Sequence, residues 1–149
     1  MIPNTDPPDA HSELILHASC VALDGRALLI LGRAGSGKSS LALGLMALGA
    51  SLVADDRTVV SRREDSVFAS APKTIAGLIE ARGVGLLFAE AVQEVPISAI
   101  ADLDASTSER LPQDRTASIL GREFPLIHGP ITPFLPSAIL QFFKGGRYA

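Results

Sequence analysis

The sequence contains one cysteine, no tryptophan, few charged side chains and no long uninterrupted hydrophobic run. The lone Cys20 excludes an internal disulfide framework and is typical of a reducing compartment, so we expect a cytoplasmic protein. The most apolar stretch, residues 41–54, is 14 residues long and broken by glycines, whereas a membrane-spanning helix needs about 20 residues. The formal net charge of −3 argues against nucleic acid as a partner, because basic surfaces bind the phosphate backbone. We therefore expect neither membrane nor nucleic acid as a partner.

What the sequence does contain is enough apolar chain for one domain. Its 149 residues, 47% of them hydrophobic, match the usual size of a single domain with its own core. The proline-containing residues 1–12 predict a flexible N-terminal tail, and residues 13–149 predict one domain. A two-domain enzyme with separate nucleotide and substrate domains is excluded by this length.

Short β-prone runs outnumber helical patterns along the chain. Asp24-Gly25 predicts a hairpin turn between strands at 20–23 and 27–31. Helices are predicted over 38–48, ending at Gly49, and over 136–144. Further predictions are a polar loop over 105–114 and strands over 14–17, 51–54, 58–61, 66–70, 85–89, 97–103, 118–120 and 126–128. This order predicts an α/β fold with a strand-rich, mixed sheet.

A glycine-rich segment between an apolar strand and a helix carries the strongest chemical signal. Residues 32–39, GRAGSGKS, match the pattern G-x-x-x-x-G-K-[ST]. In this pattern backbone N–H groups and the helix N-terminus surround phosphate oxygens, the lysine reaches the β- and γ-phosphates, and the hydroxyl suits Mg²⁺. The segment predicts a site for a nucleoside triphosphate with Mg²⁺. The predicted nucleotide-binding residues are Gly32, Arg33, Ala34, Gly35, Ser36, Gly37, Lys38, Ser39 and Ser40.

An acid pair follows at the end of the next predicted strand. Asp55 and Asp56 lie 17 and 18 residues after Lys38, which places them at the sheet edge where ligands of α/β sheets bind. One carboxylate suits Mg²⁺, and its neighbour suits proton abstraction from a hydroxyl, although a solvated turn also fits the spacing. The roles of two other polar residues are also left open by the sequence. His17 fits a structural role, and Arg110 fits a solvated loop or a phosphate contact.

Four elements, taken in order and spacing, resemble the C-terminal catalytic domain of the HPr kinase/phosphorylases. They are His17, the segment GRAGSGKSS, the segment LVADD that ends at Asp56, and the segment IEARGVG over 79–85. The resemblance covers residues 13–143 and implies a strand-rich phosphate-loop fold related to phosphoenolpyruvate carboxykinase, in a short form without the family's N-terminal domain. It implies phosphorylation of a serine on an HPr-like phosphocarrier protein of the phosphotransferase system, with ATP and Mg²⁺, by a homo-oligomer.

The resemblance also implies roles for individual residues. Lys38 would bind phosphate, and Ser39 and Glu80 would serve the metal. Asp56 would accept the proton of the target serine, with Asp55 beside it, and His17 would be an active-site residue. The segment SERL over 108–111 resembles the family's Asp-Arg-Leu-Gly, which makes Arg110 the candidate catalytic arginine and Arg115 the second choice.

The sequence departs from the family pattern at two places. Ser40 replaces the family's usual glutamate, and residues 130–134, PITPF, contain no arginine where the family has Pro-Val-Arg-Pro-Gly-Arg. Because that stretch is tied to the removal of phosphate from the serine, we expect kinase activity and doubt the phosphorylase activity. Two alternatives stay open, a nucleotide-sensing module without catalysis and a small-molecule kinase, although the chain leaves no length for the lid domain of the latter.

Overall fold

A hairpin, a helix and a buried strand follow one another in the first half of the chain, as the sequence predicts. The structure, a computed structural model, describes residues 12–106 and 115–148. Eleven strands are present in this part of the chain: β1 (Glu13–Leu16), β2 (Ala18–Leu23), β3 (Arg26–Leu31), β4 (Ser51–Ala54), β5 (Thr58–Arg63), β6 (Ser66–Ser70), β7 (Leu78–Ala81), β8 (Gly85–Phe88), β9 (Val95–Ser106), β10 (Thr116–Ile119) and β11 (Arg122–Gly129). The helices are α1 (Lys38–Ala47) and α2 (Leu135–Gly145), with a 3₁₀ turn at Lys73–Ile75.

Nine strands form one mixed sheet in the order β1-β5-β6-β9-β3-β2-β4, with β11 paired to β9 and β10 paired to β11. Strand β9 runs parallel to β3 and β11, whereas β2 runs antiparallel to both β3 and β4. Strands β3, β4 and β9 therefore point the same way and end at one edge of the sheet. The predicted mixed sheet is confirmed, and so is the prediction that the glycine-rich segment and the acid pair share an edge.

Buried apolar residues form a layer on each face of this sheet. Leu28 and Ile30 face α1 and α2, while Leu29 and Leu31 face the layer on the other side. Strand β3 is buried on both faces, which explains why its sequence, RALLIL, is almost continuously apolar. Burial of each large aliphatic side chain contributes about 1.5–3 kcal/mol, so this strand is firmly fixed and the loop that follows it starts from a rigid support.

Helix α1 begins directly after the glycine-rich segment. Its N-cap, Gly37, has φ 105°, a left-handed conformation that favours glycine. The helix ends one residue before the predicted Leu48, and the amide N–H groups of Leu48 and Gly49 close its last turn on the carbonyls of Leu45 and Met46. Gly49, at φ 110°, takes the role after the helix end that the sequence predicts.

Three sequence predictions need correction or fall outside the described residues. Strand β7 and its antiparallel pairing with β8 were not predicted, because a strand of only four residues gives little local signal. The polar loop predicted from Ala105 starts later, since Ala105 and Ser106 belong to β9, where Ser106 pairs with Gly129 of β11. The predicted tail over 1–12 and the rest of the loop, 107–114, lie outside the described residues, apart from Ser12. Within the described ranges, no helix has the length and apolar character needed to cross a membrane.

Candidate active site

The glycine-rich segment forms a closed loop around the Lys38 side chain. Lys38 Nζ donates to the carbonyl oxygens of Gly32, at 2.8 Å, and of Arg33, at 3.1 Å. Asp104, at the end of β9, accepts the backbone N–H of Arg33 at 2.9 Å and thereby ties the loop to the neighbouring strand. No side chain caps α1 at Gly37, so the first N–H groups of the helix are left for an anion.

A cavity of about 210 Å³ lies over this loop. Its lining residues are Ala34, Gly35, Gly37, Lys38, Ser39, Ser40, Asp56, Glu80 and Arg82. Six of the nine predicted nucleotide-binding residues line it; the other three, Gly32, Arg33 and Ser36, belong to the loop but do not line the cavity. Ser36 Oγ is buried and has no hydrogen-bond partner in the described part of the chain, and a Cβ on Gly32 would lie 2.3 Å from it. A lysine, open N–H groups and serine hydroxyls around one cavity fit a phosphate chain.

The two neighbouring aspartates have different surroundings. Asp55 is buried and accepts three hydrogen bonds, from Ser19 Oγ at 2.8 Å, Ser39 Oγ at 2.7 Å and the N–H of Glu80 at 3.0 Å. These donors come from β2, α1 and β7, so the Asp55 carboxylate connects three elements around the cavity. Asp55 therefore acts here as an organising residue, whose carboxylate is held by protein donors at the margin of the space that a substrate can enter.

Asp56 faces that space. Its backbone has φ 68°, the left-handed conformation that aspartate tolerates better than most residues, and this turn directs consecutive carboxylates to different sides. Its side chain is 61% exposed, and its Oδ1 lies 2.6 Å from His17 Nε2. The structure thus brings together His17 and Asp56, which are 39 residues apart in the sequence.

A second cavity, of about 440 Å³, adjoins the first. Asp56, Ser39 and Glu80 line both cavities. Asp55, Arg57 and the apolar side chains of Ile75, Leu78 and Leu86 line only the second. The exposed Asp56 carboxylate therefore lies between the polar cavity over the loop and a wider cavity with apolar walls.

The residues predicted to serve a metal, Ser39 and Glu80, both line the two cavities. Within the described residues, no three His, Cys, Asp or Glu side chains gather into a metal cage. Mg²⁺ often binds through one or two protein oxygens together with substrate phosphates, and one hydroxyl and one carboxylate beside a phosphate loop fit that mode.

Of the two predicted arginines, only Arg115 lies within the described residues. Arg110 lies outside the described residues, and Arg115 lines a separate groove that shares no residue with the two cavities. Arg82, which the sequence analysis included only as part of the segment IEARGVG, lines the cavity over the loop.

Two contributors to the site were missed by the sequence reasoning. Ser19 is a buried hydroxyl within the otherwise apolar β2, and its position two residues after His17 was an available signal. Asp104 gave no local signal, because only the pairing of β9 with β3 brings it to the loop.

An apolar strand, a glycine-rich loop that opens a helix, and a lysine held inside the loop are the architecture of phosphate-loop proteins. Within this class, the chain belongs to the HPr serine kinase C-terminal domain family, whose model matches residues 10–133. The family resemblance seen in the sequence is confirmed.

Similar proteins with known names agree with this assignment. The HPr kinase/phosphorylase of Prosthecochloris aestuarii is 35% identical over 130 residues, which cover 78% of this chain and 38% of that protein. The corresponding protein of Malacoplasma penetrans is 33% identical over 131 residues, covering 79% and 44%. The chain thus spans about two fifths of the length of these curated relatives. The solved Hpr(Ser) kinase/phosphatase from Coxiella burnetii matches with a TM-score of 0.74 and 29% identity, covering 88% of this chain and 94% of that one.

Proposed function

We propose that this chain is a protein-serine kinase that transfers the γ-phosphoryl group of ATP to an HPr-like phosphocarrier protein. The family assignment supports kinase chemistry, and the names of the relatives indicate the acceptor. The observation that carries the proposal is the place of Asp56 on the wall shared by the two cavities. Residues 13–149 would form the single catalytic domain.

The two cavities suit the two substrates. The smaller one offers Lys38 and the open helix N-terminus to the phosphates of ATP, and the larger one offers apolar walls and Arg57 to a protein surface. A serine hydroxyl that enters the larger cavity would lie beside Asp56, on the wall shared with the smaller cavity. An in-line transfer requires the attacking hydroxyl to approach the γ-phosphorus opposite the leaving oxygen, and two adjoining cavities suit that approach.

In the proposed step, a bond forms between the serine oxygen and the γ-phosphorus while the bond from that phosphorus to the β,γ-bridging oxygen breaks. ADP leaves with the bridging oxygen, and the serine proton passes to the Asp56 carboxylate. His17, 2.6 Å from this carboxylate, holds its orientation. Lys38 would neutralise charge on the transferred group, because catalysis of such transfers depends on positioning and charge stabilisation.

Ser39 and Glu80 would hold Mg²⁺ together with phosphate oxygens. When bound, the ion would neutralise phosphate charge and orient the γ-phosphoryl group. Asp55 would keep Ser39 in place through its 2.7 Å hydrogen bond. The arginine that assists the transfer stays a prediction, with Arg110 as the first candidate.

We further propose that the reverse reaction, in which inorganic phosphate removes the phosphoryl group from the serine, is weak. The segment 130–134 has no arginine, and its Ile131 lies against the loop, with Cγ2 3.3 Å from a Cβ built on Gly37. An apolar side chain in this position offers no contact to a second phosphate.

Transfer of ³²P from γ-labelled ATP to a purified HPr-like protein tests the kinase proposal. Asp56→Asn should keep the fold and lower the transfer rate by at least about a hundredfold, the usual size of a general-base contribution. Lys38→Ala should lose nucleotide binding. The matched controls are Asp24→Asn, in the exposed β2–β3 turn, and Lys144→Ala, on the exposed face of α2; both should behave as the unaltered chain.

The label must appear on serine in phosphoamino acid analysis. If the chain binds ATP and labels no carrier, the kinase proposal fails and the nucleotide-sensing alternative takes its place. Full activity of Asp56→Asn would instead remove Asp56 from the mechanism.

A further inference from the structure

A groove of about 610 Å³ lies between the β10–β11 pair and the C-terminal end of α2. It shares no lining residue with the cavities around the glycine-rich loop, and its volume lies within the usual range of small-molecule sites. The side chains that define it are Arg115, Glu123, Phe124, Phe142, Arg147 and Tyr148. Nothing in the kinase proposal uses this groove.

Two arginines, Arg115 and Arg147, line the groove. Counting the described residues alone, neither Arg115 nor Arg147 forms an ion pair. Burial lowers the pKa of Arg147, and the nearby positive charge of Arg115 lowers it further. The two guanidinium groups therefore repel each other. Two like charges in one groove are unfavourable until an anion joins them.

Arg147 is also held in a defined orientation. Its Nη2 donates to the carbonyl oxygen of Leu126 at 3.0 Å, and its guanidinium carbon lies 5.3 Å from the centroid of the Phe142 ring. One side of the guanidinium is therefore engaged, which leaves further N–H groups for a ligand in the groove. A guanidinium fixed in this way loses little conformational freedom on binding a phosphate or carboxylate.

The remaining walls of the groove are mostly apolar. Phe124 is buried beneath it, Phe142 is half-buried, and Tyr148 is fully exposed at its rim. Glu123, the only carboxylate among its lining residues, lies 3.4 Å from Thr116 Oγ1. A ligand for these walls needs an anionic group at one end and an apolar body.

We propose that this groove binds a small organic anion, with its phosphoryl or carboxylate group on Arg115 and Arg147 and its apolar body against Phe142 and Tyr148. The charge of the arginines selects the anionic group, and the aromatic rings select the body. Inorganic phosphate alone would lack the contacts with the aromatic rings.

Tyr148 makes the groove observable, because it is the only tyrosine of a chain that has no tryptophan. Cyclohexyl phosphate and cyclohexanecarboxylate serve as probes. Two half-ligands serve as controls: inorganic phosphate, which has no apolar body, and cyclohexanol, which has no anionic group. Calorimetric titration should show one binding event for at least one of the two anions, together with a change in tyrosine emission. The two anions also show which head group the arginines prefer, and each half-ligand should bind at least about tenfold more weakly.

Arg147→Gln should weaken the anion at least about tenfold, the effect of losing a charge-assisted hydrogen bond. The matched control is Arg63→Gln, since Arg63 also lies over a phenylalanine ring, at 4.0 Å from the Phe68 centroid, and lines none of these cavities. Binding and the emission change should survive in Arg63→Gln and in Lys38→Ala. Loss of binding in Lys38→Ala with retention in Arg147→Gln would assign the anion to the loop and overturn the proposal, as would no binding of either anion.

Discussion

Replacement of Asp55 by alanine should destabilise the protein more than the same replacement of its neighbour Asp56. Asp55 is buried and accepts three hydrogen bonds from β2, α1 and β7, whereas the Asp56 side chain is 61% exposed and contacts His17. The two residues are adjacent and chemically identical, so the comparison isolates the effect of the environment.

The size of the effect follows from the partners that Asp55 would leave behind. A hydrogen bond to a charged acceptor contributes about 1.5–3 kcal/mol, and a buried donor left unpaired costs about 1–3 kcal/mol. The hydroxyls of Ser19 and Ser39 can rotate toward other acceptors or water, but the backbone N–H of Glu80 cannot. We therefore expect Asp55→Ala to lower the free energy of unfolding by about 3 kcal/mol. Asp56→Ala loses an exposed contact, for which about 1 kcal/mol is an upper value, and it places alanine at φ 68°, which costs about 1 kcal/mol more.

Asp55→Asn provides an intermediate case. With its amide oxygen toward the N–H of Glu80 and its NH₂ group toward the two serines, asparagine keeps all three contacts, because a serine oxygen also accepts. Only the charge assistance is lost, so we expect a decrease of about 1 kcal/mol.

Urea unfolding, followed by circular dichroism, measures these differences as shifts in midpoint at constant m-value. The expected order of stability, from highest to lowest, is unaltered chain, Asp55→Asn, Asp56→Ala and Asp55→Ala. Equal losses for Asp55→Ala and Asp56→Ala would refute the division of roles between the two carboxylates. A loss for Asp55→Asn as large as for Asp55→Ala would show that the charge, and not the set of contacts, dominates.

Two further predictions concern the reverse reaction and the buried thiol. Incubation of the serine-phosphorylated carrier with inorganic phosphate and Mg²⁺ should release little pyrophosphate, and rapid release would contradict the proposed effect of the arginine-free segment 130–134. Cys20 should resist Ellman's reagent in the native protein and react in guanidinium, because it is fully buried and burial raises its pKa. Above the ordinary thiol pKa, the unfolded chain releases the Cys20 proton while the folded chain keeps it. The free energy of unfolding therefore decreases in this range by about 1.4 kcal/mol per pH unit, and the contribution present at lower pH is lost. Cys20→Ala should remove that part of the pH dependence, and a native thiol that reacts at once would disprove the burial.

Much of the architecture could be predicted because its signals are local. The hairpin turn at Asp24-Gly25, the helix that ends before Gly49 and the strand before Asp55 each depend on a few neighbouring residues. The order of these elements was then sufficient to place the loop and the acid pair at one sheet edge.

The different roles of Asp55 and Asp56 were not predictable from the sequence. They depend on the left-handed backbone at Asp56 and on donors that are 16 to 36 residues away from Asp55. Asp104 likewise reaches Arg33 across 71 residues of chain through the pairing of β9 with β3. Contacts of this kind are set by tertiary structure, and a local pattern contains no record of them.

The long strand β9 also determines how this chain must fold. It pairs with β6 at its start, with β3 along its middle and with β11 toward its end, so its neighbours extend from Ala27 to Gly129. The central part of the sheet therefore cannot be completed until nearly the whole domain is available, and closing such long loops costs entropy before the contacts form. We expect slow, cooperative folding, and we expect that a fragment ending before β11 leaves one edge of β9 unpaired and open to aggregation.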